Sequence, residues 1–265
     1  MTRLRSALSL AAASALLLSV SACATDTETT ASGVKVIKKG NLTVCTSLPY
    51  APFEVEKNNK IVGFDIDLVD AVAKANKLKT DLVVTGFEGI QSGQSLNSGK
   101  CDIAIAGMTI TPERKKVLDF TDPYFDATQA LLTKDKSIDS MEALSGKTLG
   151  VMSGTTGEIY ANKNAPKDAT VKAFENLGVQ TQALNTGAVD AIIQDNGPLL
   201  DYAKNNPGTF VTAEFNTGEQ YGMAVRKGGN DELLKSANDT IKKLKSDGEY
   251  DKIYKKWFGT APKSS

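Results

Sequence analysis

The sequence predicts an α/β fold with largely parallel sheets, divided between two lobes. Short apolar runs alternate with helical patterns along the chain. Its 265 residues, 41% hydrophobic and 23% charged, suffice for one large or two ordinary domains with real cores. Beyond residue 34 neither an internal repeat nor a long linker cuts the chain, so two lobes must share crossing strands rather than sit in series.

Leu42 to Thr46 and Leu82 to Thr85 read as strands. Between them a helix from Asp65 to Lys77 has a Val69, Val72, Ala73 and Asn76 spacing that leaves one apolar stripe. Cys101 to Ala106 reads as a buried strand. Thr111-Pro112-Glu113 then opens a helix, with a capping hydroxyl, proline at the first helical position and an acid in the first turn. A second set of strands falls near Thr148 to Met152, Val171 to Phe174 and Ala191 to Gln194, with helices near Glu158 to Asn162, Gly178 to Asn185 and Pro198 to Lys204. The end is helical from Asp231 to Ser246. After it, Tyr250, Ile253, Tyr254, Trp257 and Phe258 recur at i, i+3, i+4, i+7 and i+8, an aromatic stripe that belongs to a core.

Composition excludes several kinds of chemistry. The chain has no histidine, so Ser-His-Asp and Cys-His nucleophile systems and histidine metal sites are ruled out. Lys+Arg and Asp+Glu balance at 31 each, which gives no basic face for a nucleic acid.

The first residues read as a targeting segment. Arg3 and Arg5 make a short basic region, and Ala7 to Val20 is an apolar run too short to span a bilayer as a mature helix. Val20-Ser21-Ala22-Cys23 resembles the lipobox of bacterial lipoproteins, which implies a signal peptide at 1–22, cleavage before Cys23 and acylation of its thiol. Cleavage would remove Arg3 and Arg5, leaving 29 basic against 31 acidic side chains. Residues 23–34 show no apolar periodicity and read as a flexible tether.

Three segments are built for a small ligand. Leu48-Pro49-Tyr50-Ala51-Pro52-Phe53 holds aromatics in a proline-restricted loop at the carboxyl end of the first strand, where open α/β sheets place ligands. Gly107-Met108-Thr109-Ile110-Thr111-Pro112-Glu113-Arg114 runs from a strand into a helix start, offering N–H groups, hydroxyls and a guanidinium to a carboxylate. Ser153-Gly154-Thr155-Thr156-Gly157 is a second anion-friendly turn. Asp195 adds a carboxylate at another strand tip, so an arginine in one half and an aspartate in the other suit the two ends of a zwitterion.

With these residues in view, the chain closely resembles the amino-acid-binding proteins of bacterial ABC importers, the family-3 solute-binding proteins, over about residues 35 to 260. The motifs are Tyr50-Ala51-Pro52-Phe53, Gly63-Phe64-Asp65-Ile66-Asp67-Leu68, Gly107 to Lys116, Asp119-Phe120-Thr121-Asp122-Pro123-Tyr124, Gly146 to Val151, Gly187 to Ala191, and Asp247 to Tyr254. The resemblance implies a two-lobe Venus-flytrap of the periplasmic-binding-protein type II class. Lobe one would be 35–123 plus 222–261 and lobe two 129–216, with crossings at 124–128 and 217–221. It implies that Arg114 clamps a ligand carboxylate with Thr109 and Thr155 or Thr156, and that Asp195 takes the ammonium with the Gly107 carbonyl. Tyr50 and Phe87 would then sandwich the side chain, and Gln194 and Ser47 border its pocket. Asp65 and Asp67 are assigned to helix capping and hydrogen bonds between elements, since a metal site there lacks further ligands. The implied protein is a monomeric, lipid-anchored receptor without a metal or cofactor. Its partners are an ABC permease with its ATPase and the membrane that holds the lipid.

Two departures from the family pattern matter. The stretch Gly86 to Gly99 is longer by about two residues and holds Gly89, Gly93 and Gly99, which leaves its helix and the register of Phe87 open. Ser47 stands where relatives that bind basic amino acids carry an acid, and burying an unpaired ammonium is costly. The expected ligand is therefore neutral and polar, glutamine first, then glutamate or cystine. The alternative is an enzyme resembling cyclohexadienyl dehydratases, with Glu88 beside Phe87 as the candidate acid.

After Cys23, two cysteines remain, and in an exported protein they invite a disulfide. Against it, Cys45 sits near the end of its strand and Cys101 at the start of a parallel neighbour, a stagger of roughly four residues or about 13 Å. Both outcomes stay open, with the stagger weighing against a bridge.

Overall fold

The structure, a computed structural model, describes residues 27–262. The signal segment 1–22, Cys23 and the first residues of the expected tether lie outside them. From Glu28 that tether gives way to a hairpin of β1 (Glu28–Thr29) and β2 (Lys35–Val36). Val34 and Val36 turn from it into the core. Two valines in a polar stretch leave no periodicity to read, which is why composition alone hid the hairpin.

The chain continues through β3 (Asn41–Thr46), a small antiparallel pair β4 (Val55–Lys57) and β5 (Lys60–Val62), α1 (Phe64–Ala75) and β6 (Lys79–Val84). Two short helices, α2 (Phe87–Gln91) and α3 (Gln94–Asn97), occupy the lengthened stretch and break at Gly93. Then come β7 (Ile103–Ala104), the single-turn α4 (Pro112–Lys115) and β8 (Leu118–Phe120). The middle of the chain is β9 (Phe125–Thr133), β10 (Thr148–Met152), α5 (Thr156–Asn164), β11 (Thr170–Phe174), α6 (Leu177–Thr186), β12 (Ala191–Asp195), α7 (Asn196–Asn205) and β13 (Phe210–Tyr221). It ends with β14 (Ala224–Arg226), α8 (Asp231–Ser246) and α9 (Glu249–Phe258).

Two five-stranded sheets result, in the orders β6-β3-β7-β14-β8 and β11-β10-β12-β9-β13. Both are mixed rather than largely parallel. In the first, β3 runs parallel to β6 and β7, but β14 is antiparallel to β7 and β8. In the second, β10 runs parallel to β11 and β12, but β9 is antiparallel to β12 and β13. The reversed strands are the ones that arrive from the other sheet: β9 follows β8, and β14 follows β13. A strand entering this way is not bound to the crossover helix that makes consecutive strands parallel.

Helix α1 packs beside α8 and α9, where Leu68, Val69, Val72 and Ala73 share a cluster with Leu233, Ala237, Ile241 and Tyr250. Each of the larger side chains contributes roughly 1.5–3 kcal/mol by leaving water. Tyr250, Tyr254 and Phe258 pack on Phe64 with ring centroids 5.3–5.9 Å apart, so the C-terminal stripe is core. Trp257 is half-buried against the same cluster, its Nε1–H donating to Asp67 at 2.6 Å.

Cys45 and Cys101 are joined by a disulfide, with Cα atoms 5.6 Å apart. The bridge closes because the chain does not run as a straight strand from Ile103 back to Cys101. The ladder with β3 covers only Ile103 and Ala104, and the chain bends at Asp102. That bend is fixed by the Asp102 carboxylate, which accepts from the Ile37 and Thr43 N–H groups, both at 2.9 Å. Its burial pushes the Asp102 pKa up to about 6.

Candidate ligand-binding cleft between the sheets

The carboxyl ends of β3 and β7 and the turns after β10 and β12 converge on a cleft of about 390 Å³, part of it open to solvent. All ten residues singled out from the sequence border it: Ser47, Tyr50, Phe87, Gly107, Thr109, Arg114, Thr155, Thr156, Gln194 and Asp195.

On the first side, Gly107 follows β7 with φ at +51°, and a Cβ there would come within 2.7 Å of the Tyr50 ring. Only glycine tolerates both constraints. Arg114 sits in α4, whose first turn is capped by the Thr111 hydroxyl accepting from Arg114 N–H at 3.1 Å. Its guanidinium is 5% exposed and donates to the carbonyls of Thr109 at 2.7 Å and Gly154 at 2.9 Å. It lies 5.2 Å from the Phe87 ring centroid, which resolves the register of that aromatic. Among the described residues no carboxylate forms an ion pair with Arg114. Two of five donors meet carbonyls, so a buried fork with capacity for an anion faces the cleft. Burial lowers the proton affinity of the group, and the charges of Asp195 and Glu219 raise it again.

On the second side, Thr155 caps α5 by accepting from Glu158 N–H at 3.2 Å, and Thr156 points its hydroxyl toward the first side. Asp195 ends β12 without capping α7. Its carboxylate, 4% exposed, instead accepts from the Tyr50 hydroxyl at 2.8 Å, from the Tyr221 hydroxyl and from the Gln129 amide. Burial and then the charge of Glu219 raise its pKa to about 6, against the lowering effect of those three donors. Gln194 is buried, and its Nε2 meets no acceptor among the described residues.

Sequence reasoning did not find Gln129 and Glu219. The Glu219 carboxylate accepts from the hydroxyls of Thr109 at 2.8 Å and Thr156 at 2.7 Å and from the Gln129 amide at 3.1 Å, tying both sides of the cleft together. The signal for Glu219 was its place two residues before Tyr221, which puts both on one face of a strand. The signal for Gln129 was an amide inside an apolar strand. Asn176, which caps α6 and borders the cleft, was also missed. Glu88 is exposed, outside the cleft lining, and bonded to Gln91 at 3.0 Å, so it has none of the setting of a buried acid. Asp65 and Asp67 both serve neighbouring elements, the former through Gly107 and Tyr124 and the latter through Lys256 and Trp257. Neither caps α1.

Residues 42–260 match the model of the bacterial extracellular solute-binding proteins, family 3, and the chain belongs to that family. It is 40% identical over 210 residues to the ABC transporter glutamine-binding protein GlnH of Bacillus subtilis, covering 77% of this chain and 76% of that one. It is 37% identical over 222 residues to a probable histidine-binding protein of Neisseria gonorrhoeae, covering 81% and 82%. Among solved structures, an ancestral arginine-binding protein, crystallised with glutamine and with arginine, superposes with a TM-score of 0.79 at 47% identity, over 83% of this chain and 99% of that one. The two-lobe architecture of the type II periplasmic binding proteins is therefore that of this chain, an extracellular solute-binding protein. Among the described residues no helix is long and apolar enough to cross a membrane.

Proposed function

We propose that this chain captures a polar amino acid, glutamine by first choice with glutamate or cystine next, and delivers it to an ABC permease and its ATPase. The observation that carries this is the opposition of Arg114 and Asp195. Both are buried and charged, they stand on opposite sides of one cleft, and the guanidinium has no carboxylate of its own. Arg114 takes the ligand carboxylate with Thr109 and Thr155 or Thr156. Asp195 and the Gly107 carbonyl take the ammonium, and Tyr50 and Phe87 flank the side chain. The unpartnered Gln194 Nε2 beside Ser47 suits an amide oxygen at the end of that side chain and offers a cation nothing. The glutamine named for the Bacillus relative supports the same choice.

The lobes are assigned as 35–123 with 222–261, and 129–216, with crossings at 124–128 and 217–221. The protein acts as a monomer held to the outer face of the cell membrane by lipid on Cys23. A thermal-shift screen of the twenty amino acids and cystine tests the ligand, since a ligand at 100 times its dissociation constant adds about 2.7 kcal/mol. Glutamine is expected to give the largest shift. The absence of a shift with any of them would overturn the reading. Cys23→Ala should release the protein from membranes.

A further inference from the structure

We propose that Glu54 and Asp65 hold one proton between them and, as an acid–carboxylate unit, position Gly107 and the Tyr50 ring that packs on it. This rests on the reading above that Gly107 and Tyr50 meet the ligand.

Both side chains are 0% exposed. The fold forces them together. Phe64 N–H donates to the Pro52 carbonyl at 3.0 Å and Asp65 N–H to the Phe53 carbonyl at 3.1 Å, sewing the ligand loop onto the first turn of α1. Gly63 allows that approach, since a Cβ there would lie 1.7 Å from the Phe53 carbonyl oxygen. These contacts bring Glu54, the residue after Phe53, against the start of α1, and the charge of Asp65 adds to burial in raising the proton affinity of Glu54.

Three of their four oxygens, both of Glu54 and Oδ1 of Asp65, meet no N–H or O–H donor among the described residues. Only Asp65 Oδ2 is served, by Gly107 N–H at 2.8 Å and the Tyr124 hydroxyl at 2.9 Å. No lysine or arginine pairs with either group among the described residues. Two adjacent ionised carboxylates out of water, without a cation, repel and are poorly solvated. One proton on Glu54, donated to Asp65, leaves a single charge and satisfies an oxygen on each side. Glu54 is the acid because the donors from Gly107 and Tyr124 favour the ionised form of Asp65, whereas Glu54 has none. The titratable groups facing the pair are the phenols of Tyr50, Tyr124 and Tyr250, which burial keeps protonated. Burial likewise raises Glu54 well above the usual carboxylate range. Titration of such a unit belongs to the pair rather than to either residue.

Asp65 is thus a positioning residue: its oxygen anchors Gly107, against which Tyr50 lies. Infrared spectroscopy of the wild-type protein near neutral pH, without added amino acid, should show a protonated carboxylic-acid band that Glu54→Gln removes. Calorimetry with L-glutamine should show Glu54→Ala and Asp65→Ala weakened about tenfold, the cost of one lost partner in a buried network, with Glu54→Gln regaining most of that loss because its amide still donates. Lack of the band in the wild type, or a Glu54→Gln variant as weak as Glu54→Ala, would overturn the proposal. If wild type binds no glutamine, the functional reading fails on its own and the infrared result still decides the pair; that spectrum needs no variant to fold.

Discussion

The Tyr50 hydroxyl donates to the Asp195 carboxylate at 2.8 Å, joining residues 145 positions apart that reach the cleft from different sheets. Tyr221 and Gln129 donate to the same carboxylate, so Asp195 is held in place by three elements before any ammonium meets it. A receptor group fixed in this way loses little freedom on binding.

Arg114→Ala and Asp195→Ala should each cripple recognition. Removing one partner of a desolvated charge pair costs about 2–5 kcal/mol, which takes a micromolar ligand toward millimolar dissociation constants. Arg114→Lys should recover only part, since a point charge does not reproduce the planar fork. Calorimetry reads the affinity and circular dichroism the fold. Near-normal binding by either alanine variant would sink the assignment.

Asp195→Asn should make the protein more stable at pH 7 while weakening binding. The pKa of Asp195 is raised from 3.8 to about 6, so the folded state binds a proton more readily than the unfolded chain. Its contribution is fully present below pH 3.8 and lost as pH rises through about 6. At pH 7 the ionised group therefore costs up to about 3 kcal/mol. Melting temperatures should differ by several degrees at pH 7 and converge near pH 4. An unchanged difference across that range would contradict the buried-carboxylate account.

Ligand affinity should fall as pH drops through about 6. Asp195, raised to that value by burial and then by Glu219, becomes neutral and no longer balances an ammonium. Each proton taken up costs about tenfold in affinity per pH unit below the pKa. Titrations at pH 5 and pH 7 should show the loss, and equal affinities would refute it.

Replacing Cys45 and Cys101 with alanine should destabilise the protein strongly. The bridge closes a loop across a sequence separation of 56, and loop entropy puts its contribution at about 4 kcal/mol. Thiol counting on the denatured, unreduced protein should find neither residue reactive. Two free thiols at these positions would show that the bridge does not form.

Glutamine should reduce the radius of gyration in small-angle scattering, because a ligand held by both sides favours the arrangement that brings them together. An unchanged value at saturation would argue against closure.

Helices were the most legible part of the fold. The helix read from Asp231 to Ser246 has the bounds of α8. Periodicity carries no information on strand direction, so the reversed strands β9 and β14 escaped notice. A six-residue apolar run at Cys101–Ala106 likewise supplied only the two residues of β7, because a single aspartate bends the chain. In the cleft, the residues found were those in local signatures, such as the capped turn ahead of Arg114. Gln129 and Glu219 act through partners far away in sequence, and no local pattern marks that.

Where the chain passes between the sheets, Phe125 lies opposite Tyr221, Asp126 opposite Gln220 and Ala127 opposite Glu219. The two connections are therefore a single hydrogen-bonded ribbon rather than two independent cords. From that ribbon Tyr221 reaches Asp195, and Glu219 reaches Thr109 and Thr156. The groups that meet the cleft are thus cut from the same ribbon that joins the sheets, with no relay of intermediate side chains between them.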